Sequence, residues 1–215
     1  MLSKLAKLRT CASLVMRSAA RLSAASALPS RAMSSNGFSY PAPRTLEALV
    51  NLDKFSSEPA ETIEQIWVEH HAAMPTAMAS AVPAADYARI AQRAASTPFF
   101  TLPVQRDSGH FMLLAQFQDR SWLLTYLEDY RRDPASALPY LTVTAYPELA
   151  LTKGLVLLRS DICAPATITK ADAARALRQL TTLYGDDLLY KHVFDFNENA
   201  GKFDLDAAMK AVNEI

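Results

Sequence analysis

The sequence predicts an α+β domain in which a largely antiparallel sheet of about five strands, with a mixed sheet as the alternative, lies between N-terminal and C-terminal helices. Three observations predict it. Apolar residues recur at helical spacing from Thr45 to Ser96, the period changes to two at Thr97, and helical spacing returns after Thr169. With 215 residues, 50% of them hydrophobic, the chain can bury one sizeable core without needing a second domain.

The N-terminal segment stands apart from this domain. Lys4, Lys7, Arg9, Arg17, Arg21, Arg31 and Arg44 all precede the first acidic residue, Glu47. Drawn as a helix, Leu2, Leu5, Leu8, Ala12, Val15 and Met16 fall on one side and Lys4, Lys7, Arg17 and Arg21 on the other, with Arg9 as the misfit. A basic, acid-free, Ser- and Ala-rich amphipathic start is the pattern of a mitochondrial presequence, here residues 1–33. A secretory signal needs an unbroken apolar centre of about 7–15 residues, which this segment lacks. A surface helix or a basic nucleic-acid arm is the competing reading. Cleavage is expected after Met33 in SRAMSSNGF, where Arg31 stands just upstream of Ser34.

Loss of residues 1–33 removes six basic residues and no acidic ones, leaving 16 against 22, a net charge of −6. A mildly acidic protein argues against a nucleic-acid partner, whose phosphates require a basic patch. Downstream, no apolar run is long enough to span a bilayer, so no stable membrane insertion and a mitochondrial matrix location are expected. Cys11 leaves with the presequence. Cys163 alone then makes no internal disulfide or multi-cysteine metal site and reads as a small hydrophobe.

Residues 34–44, with Pro41 and Pro43, have the composition of a linker, and 45–215 form the single domain. TLEALVNLDKF spaces Leu46, Leu49, Val50 and Leu52 for one short helix. A second helix follows with Ser57 as cap and Pro59 in its first turn, placing Ile63, Ile66, Trp67, His70 and Met74 on one face. A third, about Pro83 to Ser96, turns Tyr87, Ile90, Ala91 and Ala94 inward. FFTLPVQR and HFMLLAQFQ then flank Asp107-Ser108-Gly109, which is hairpin-turn chemistry. RSWLLTY continues the meander, and Thr125 with Glu128 reads as a capping box opening a helix through YLEDYRRD. LPYLTVTAY and GLVLLRSDI are two further strands around a short helix, Pro147 to Lys153. Thr169 with Asp172 caps KADAARALRQLTTLYG, which turns Leu177, Leu180 and Tyr184 inward and ends at Gly185. Helices of about Asp187 to Phe194 and Asp204 to Asn213 close the chain.

Chemistry is sparse in this pattern. Gly37, Gly109, Gly154, Gly185 and Gly201 are isolated, so no phosphate-cradling loop, dinucleotide fingerprint or nucleophile elbow can be written. His70 and His71 are adjacent, whereas metal ligands on a helix need to stand about four positions apart to share a face. They read as satisfied groups at a helix end, His110 as a solvated strand end and His192 as a partly exposed helical residue. Carboxylate pairs such as Glu128-Asp129 and Asp186-Asp187 are neighbours on a helix and do not converge on one substrate atom. No catalytic, cofactor-binding or metal-binding residue is therefore assigned. A small matrix enzyme with a site between the helices and the sheet stays open as the alternative function, as does a structural subunit of a larger complex.

IEQIWVEHHA, FFTLPVQRDSGHFMLLAQF, TYLEDYRRDPASALPYLTVTAYPEL, KGLVLLRSD and LTTLY resemble, in this order, the blocks of the mitochondrial F1-ATPase assembly factor 1 family. The resemblance covers Thr45 to Tyr184. Two edges depart from the family: His110-Phe111 replaces a tyrosine-glutamate pair, and Leu158-Arg159-Ser160 replaces methionine-arginine-glycine. The resemblance implies a non-enzymatic matrix chaperone without cofactor, monomeric when free, that holds the unassembled F1 β subunit until an α subunit replaces it. An unassembled subunit exposes apolar interface that drives aggregation. On the general enrichment of aromatic residues and Arg at interfaces, Arg106, Gln116, Gln118, Trp122, Tyr126, Tyr130, Tyr146 and Arg159 are the candidate partner-binding residues.

Overall fold

The computed structural model describes residues 42–215. The presequence and residues 34–41 of the linker lie outside the described residues. The first helix expected is split in two, a 3-10 turn at Leu46–Ala48 and α1 at Leu52–Ser57, because Asn51 starts a new helix by accepting the Lys54 N–H at 3.1 Å. Ser57, expected to cap the next helix, instead ends α1, its hydroxyl donating to the Lys54 carbonyl. Pro59 takes the cap position of α2 (Ala60–Ala72). The buried face of α2 is Ile63, Trp67 and His71, so Ile66 and His70 look outward rather than into the core.

The sheet has six strands, not five. They are β1 (Ala77–Pro83), β2 (Phe99–Arg106), β3 (Gly109–Gln118), β4 (Ser121–Tyr126), β5 (Pro139–Tyr146) and β6 (Leu155–Ile162). Their order is β1-β6-β5-β4-β3-β2 and every neighbour is antiparallel, which removes the mixed alternative. Strands β2 to β4 are the expected meander. The loop Asp107-Ser108 closes on the pair Arg106↔Gly109, where Gly109 takes φ 141°, a value that disfavours a side chain. The added strand, β1, lies along β6 from Ala77↔Asp161 to Pro83↔Leu155.

Between the strands run α3 (Ala84–Ser96), α4 (Leu127–Arg132), a 3-10 turn at Pro147–Leu149 and α5 (Ala150–Lys153). The chain ends with α6 (Lys170–Gly185), α7 (Asp187–Glu198) and α8 (Leu205–Glu214). The Thr169–Asp172 capping box of α6 forms as expected. The Thr125–Glu128 box does not. Thr125 is a buried residue of β4 and α4 begins after Tyr126 with no side-chain cap.

Cross-strand partners share a sheet face, so the register sorts the side chains. Phe100, Leu102, Leu113, Ala115, Trp122, Leu124, Leu141, Val143 and Leu158 share one face, and they pack with Ile90 of α3, Leu180 and Tyr184 of α6, Phe196 of α7 and Val212 of α8. On the other face a smaller core joins Leu46, Phe55, Ile63 and Trp67 to Tyr146, Leu149, Leu155 and Leu157. Each fully buried large side chain contributes roughly 1.5–3 kcal/mol. Among the described residues no helix is long and apolar enough to cross a membrane.

Candidate functional site

The N-terminal helices lie over β1 and β6, and they leave the second face of β4 and β5 as the floor of an open groove of about 560 Å³. The floor carries Ser121, Leu123, Thr142 and Thr144, all on one face by register. One wall is Ala42, Pro43 and Arg44, and the other is the β3–β4 turn Gln118-Asp119-Arg120. Asp119 holds φ 53°, the left-handed region that Asp tolerates better than most residues. Hydroxyl pairs line the centre: Ser121 Oγ donates to Thr144 Oγ1 at 3.2 Å.

Two ion pairs stand at the rim, while Arg44 and Asp119 of its walls belong to none of the ion pairs among the described residues. Arg120 Nη1 lies 3.2 Å from Glu148 Oε1, with its guanidinium 5.5 Å from the Tyr146 ring centroid. Arg159, 4% exposed, donates to Asp161 Oδ1 from Nε at 3.0 Å and from Nη2 at 2.6 Å, and the more open Asp161 lines the groove. Burial pushes the Tyr146 phenol up from its ordinary value. Behind Arg159, His71 is 1% exposed and its Nδ1–H donates to the Trp67 carbonyl at 2.7 Å, a carbonyl being able only to accept. Its Nε2 is then an acceptor, buried and unpartnered. Burial, and secondarily Arg159, holds the His71 pKa below 6.5 against the raising effect of the Trp67 bond.

A groove of neutral hydroxyls, two ion pairs and the charges of Arg44 and Asp119 offers hydrogen-bonding partners for a polypeptide surface. Among the described residues no cluster of three or more His, Cys, Asp or Glu is placed to hold a metal ion. His110 is exposed at the start of β3 and His192 half-buried on α7, as expected. Cys163 is half-buried beside the groove, its thiol 3.6 Å from the Asp161 carbonyl.

The eight residues picked from sequence do not gather in one place. Gln118 and Tyr146 line the groove, and Arg159 supports it from behind. Arg106 and Tyr126 lie beyond the hairpin end instead, bracketing Phe111, with the Arg106 guanidinium 5.3 Å and the Tyr126 ring 5.8 Å from the Phe111 centroid. Arg106 is also tied by two bonds to Asp172, at 3.0 and 2.8 Å. Gln116 is half-buried with Oε1 unpartnered. Trp122, 0% exposed, packs on Phe117 and Tyr184, and Tyr130 is likewise buried in the main core. Both are buried side chains because their strand and helix positions face inward. Ser121, Thr142, Thr144, Arg120 and Asp161 also line the groove and are not among the residues picked from sequence. The alternating hydroxyls of LTVTAY are the signal that could have found them.

A family model described as ATP11 protein matches residues 9–208. The chain is 28% identical over 162 residues to ATP synthase mitochondrial F1 complex assembly factor 1 of Homo sapiens, covering 74% of this chain and 49% of that protein. The Mus musculus protein of the same name is 27% identical over the same shares. Protein atp11, mitochondrial, of Schizosaccharomyces pombe is 26% identical over 120 residues, 53% of this chain and 42% of that protein. The chain spans about half the length of the curated relatives it matches.

Proposed function

Because this chain belongs to the ATP11 protein family, we propose that it is an assembly factor of the mitochondrial F1 complex, acting in the matrix as a chaperone that holds the unassembled β subunit and yields it to α. The observation that carries this reading is the family match across residues 9–208, joined to relatives whose names state assembly of the F1 complex. The groove over β4 and β5 suits the role physically. Its hydroxyls and rim ion pairs can exchange water for a partner's polar groups at little cost, which favours a reversible contact over a permanent one.

Such a protein makes and breaks no covalent bond. It lowers the concentration of exposed subunit interface, and so slows aggregation, by mass action. The test is to mix the chain with isolated F1 β at a temperature where β alone precipitates. The expected result is soluble β in a stoichiometric complex that disappears when α is added. Absence of a complex, or a complex that survives α, would remove this reading.

A further inference from the structure

The two edges of the sheet are finished differently. At β2 the Phe117 N–H donates to the Pro98 carbonyl, which sets the even residues toward β3 and the odd ones, Phe99, Thr101, Pro103 and Gln105, outward. That edge is closed. The Asn197 side chain of α7 accepts from the Phe99 N–H at 3.1 Å and donates to the Phe99 carbonyl at 2.6 Å, Pro103 has no N–H, and the Gln105 side chain is held by Asn213 of α8 at 2.9 Å.

The edge at β1 has no such closure. The Ile162 N–H donates to the Thr76 carbonyl and the Ala84 N–H to the Gly154 carbonyl, so the even residues between them pair with β6 while Ala77, Ala79, Ala81 and Pro83 turn their backbone groups to the free side. Ala77 is buried and Pro83 lacks an N–H. Ala79 and Ala81 are half-buried, and among the described residues no hydrogen bond reaches the N–H or the carbonyl of either. AMASAVP also carries no charged side chain, the usual guard of an open edge.

Unpaired N–H and C=O groups that repeat at the two-residue spacing of a strand, about 7 Å, match one kind of object, an extended backbone. A second copy of this chain fits poorly. Helix α2 lies on β1 and carries Glu61, Glu64 and Glu69 with no Lys or Arg, so pairing two β1 edges would set two acidic helices side by side, in a protein with 22 acidic against 16 basic residues over 42–215. We propose that the free edge of β1 takes an uncharged extended segment of another polypeptide as a seventh strand, bound through the backbone of Ala79 and Ala81. This inference does not rest on the assembly-factor reading, since it uses only the ladder and its open edge.

The test is fluorescence anisotropy of the full chain with a labelled peptide of alternating Thr and Val ended by lysines. One form is N-methylated at every second residue, which leaves one edge able to pair, and the other at every central residue, which leaves neither. Binding of the first alone is expected, weakened about fivefold by Ala79→Pro and by Ala81→Pro, each of which removes one outward N–H at an edge position where proline is tolerated. An unchanged urea midpoint certifies the fold, and the two peptides compared on the unaltered chain decide the matter if a variant fails to fold. No binding of the half-methylated peptide, equal binding of the fully methylated one, or indifference to both proline variants would each overturn the proposal. A dimer of the full chain that dissociates on Ala81→Pro would give the edge to a second copy and overturn it too.

Discussion

The indole N–H of Trp67 donates to the carbonyl of Leu158 at 3.0 Å, joining α2 to strand β6 across 91 residues. Trp67 is buried against Tyr146, 5.8 Å between ring centroids, so this bond is formed away from water. It anchors α2 to the sheet. Trp67→Phe keeps much of the packing and leaves the Leu158 carbonyl short of a donor, for a loss of about 1–2 kcal/mol. Trp67→Ala adds a cavity and should cost about 3–5 kcal/mol. Urea denaturation followed by fluorescence of Trp122 checks both.

Arg159 and Asp161 form the second prediction. Removing a carboxylate from a buried guanidinium strands a charge, so Asp161→Ala should destabilise the fold by about 2–3 kcal/mol, at the low end for buried pairs because Asp161 is partly open. Adding Arg159→Met to that variant should recover much of the loss. If the double variant is no more stable than Asp161→Ala, the pair is not coupled as its geometry requires.

Much of the sheet is legible in the sequence because β2 to β6 carry period-two apolar runs and clear turns. Strand β1, AMASAVP, is not. Its Ala77, Ala79 and Ala81 share the face toward α2, where small side chains let the helix lie close. Fitting a helix there removes the branched residues that would have announced a strand. Capping boxes show the same limit: Thr169–Asp172 and Thr125–Glu128 look alike locally, yet Thr125 is held in the β4 ladder by Leu114 and Pro139. The groove is only half visible because its floor comes from two strands, β4 and β5, whose juxtaposition is tertiary, and the buried place of Trp122 is not legible because aromatic enrichment at interfaces does not say which face of a strand an aromatic occupies.

His71 sets a pH dependence. Burial first, then Arg159, depresses its folded pKa below 6.5, while the unfolded chain protonates near that value. Both states bind the same number of protons well above it, so the contribution is complete there. As pH falls below 6.5 the unfolded state takes up the proton first, and stability declines until the folded pKa is reached. The urea midpoint should therefore drop as pH falls through about 6.5. His71→Leu, which leaves no ring to protonate, should flatten that decline; an equally steep slope in the variant would assign it elsewhere.

Gly154 follows α5 in the left-handed conformation, φ 65°, and its N–H returns to the Ala150 carbonyl at 3.1 Å. A Cβ there meets no atom, so the cost of Gly154→Ala is conformational and about 1 kcal/mol. Gly154→Asn should cost less, because Asn enters this region more readily. Thermal unfolding of the two variants separates conformational cost from steric cost, since a clash would penalise the larger Asn more.

Asp172 links the hairpin to α6 and carries the last prediction. It accepts from Arg106 Nη1 and Nη2 and, through Oδ2, from the Thr169 N–H at 2.8 Å, so one carboxylate closes an ion pair and a helix cap. Burial alone would raise its pKa, but the Arg106 and Thr169 bonds outweigh that and hold it below 3.8. A depressed carboxyl contributes its stability in full above the unfolded value, and the contribution is lost as pH falls through the folded pKa. Asp172→Asn should lose about 1–2 kcal/mol at neutral pH, a sum of the cap and a discounted, partly exposed ion pair. The same variant should show a shallower loss of stability below pH 3.8. Arg106→Ala keeps the cap, so it should lose less at neutral pH while flattening the same acid limb. If Arg106→Ala instead matches Asp172→Asn at neutral pH, the cap contributes little and the hairpin tie carries the energy.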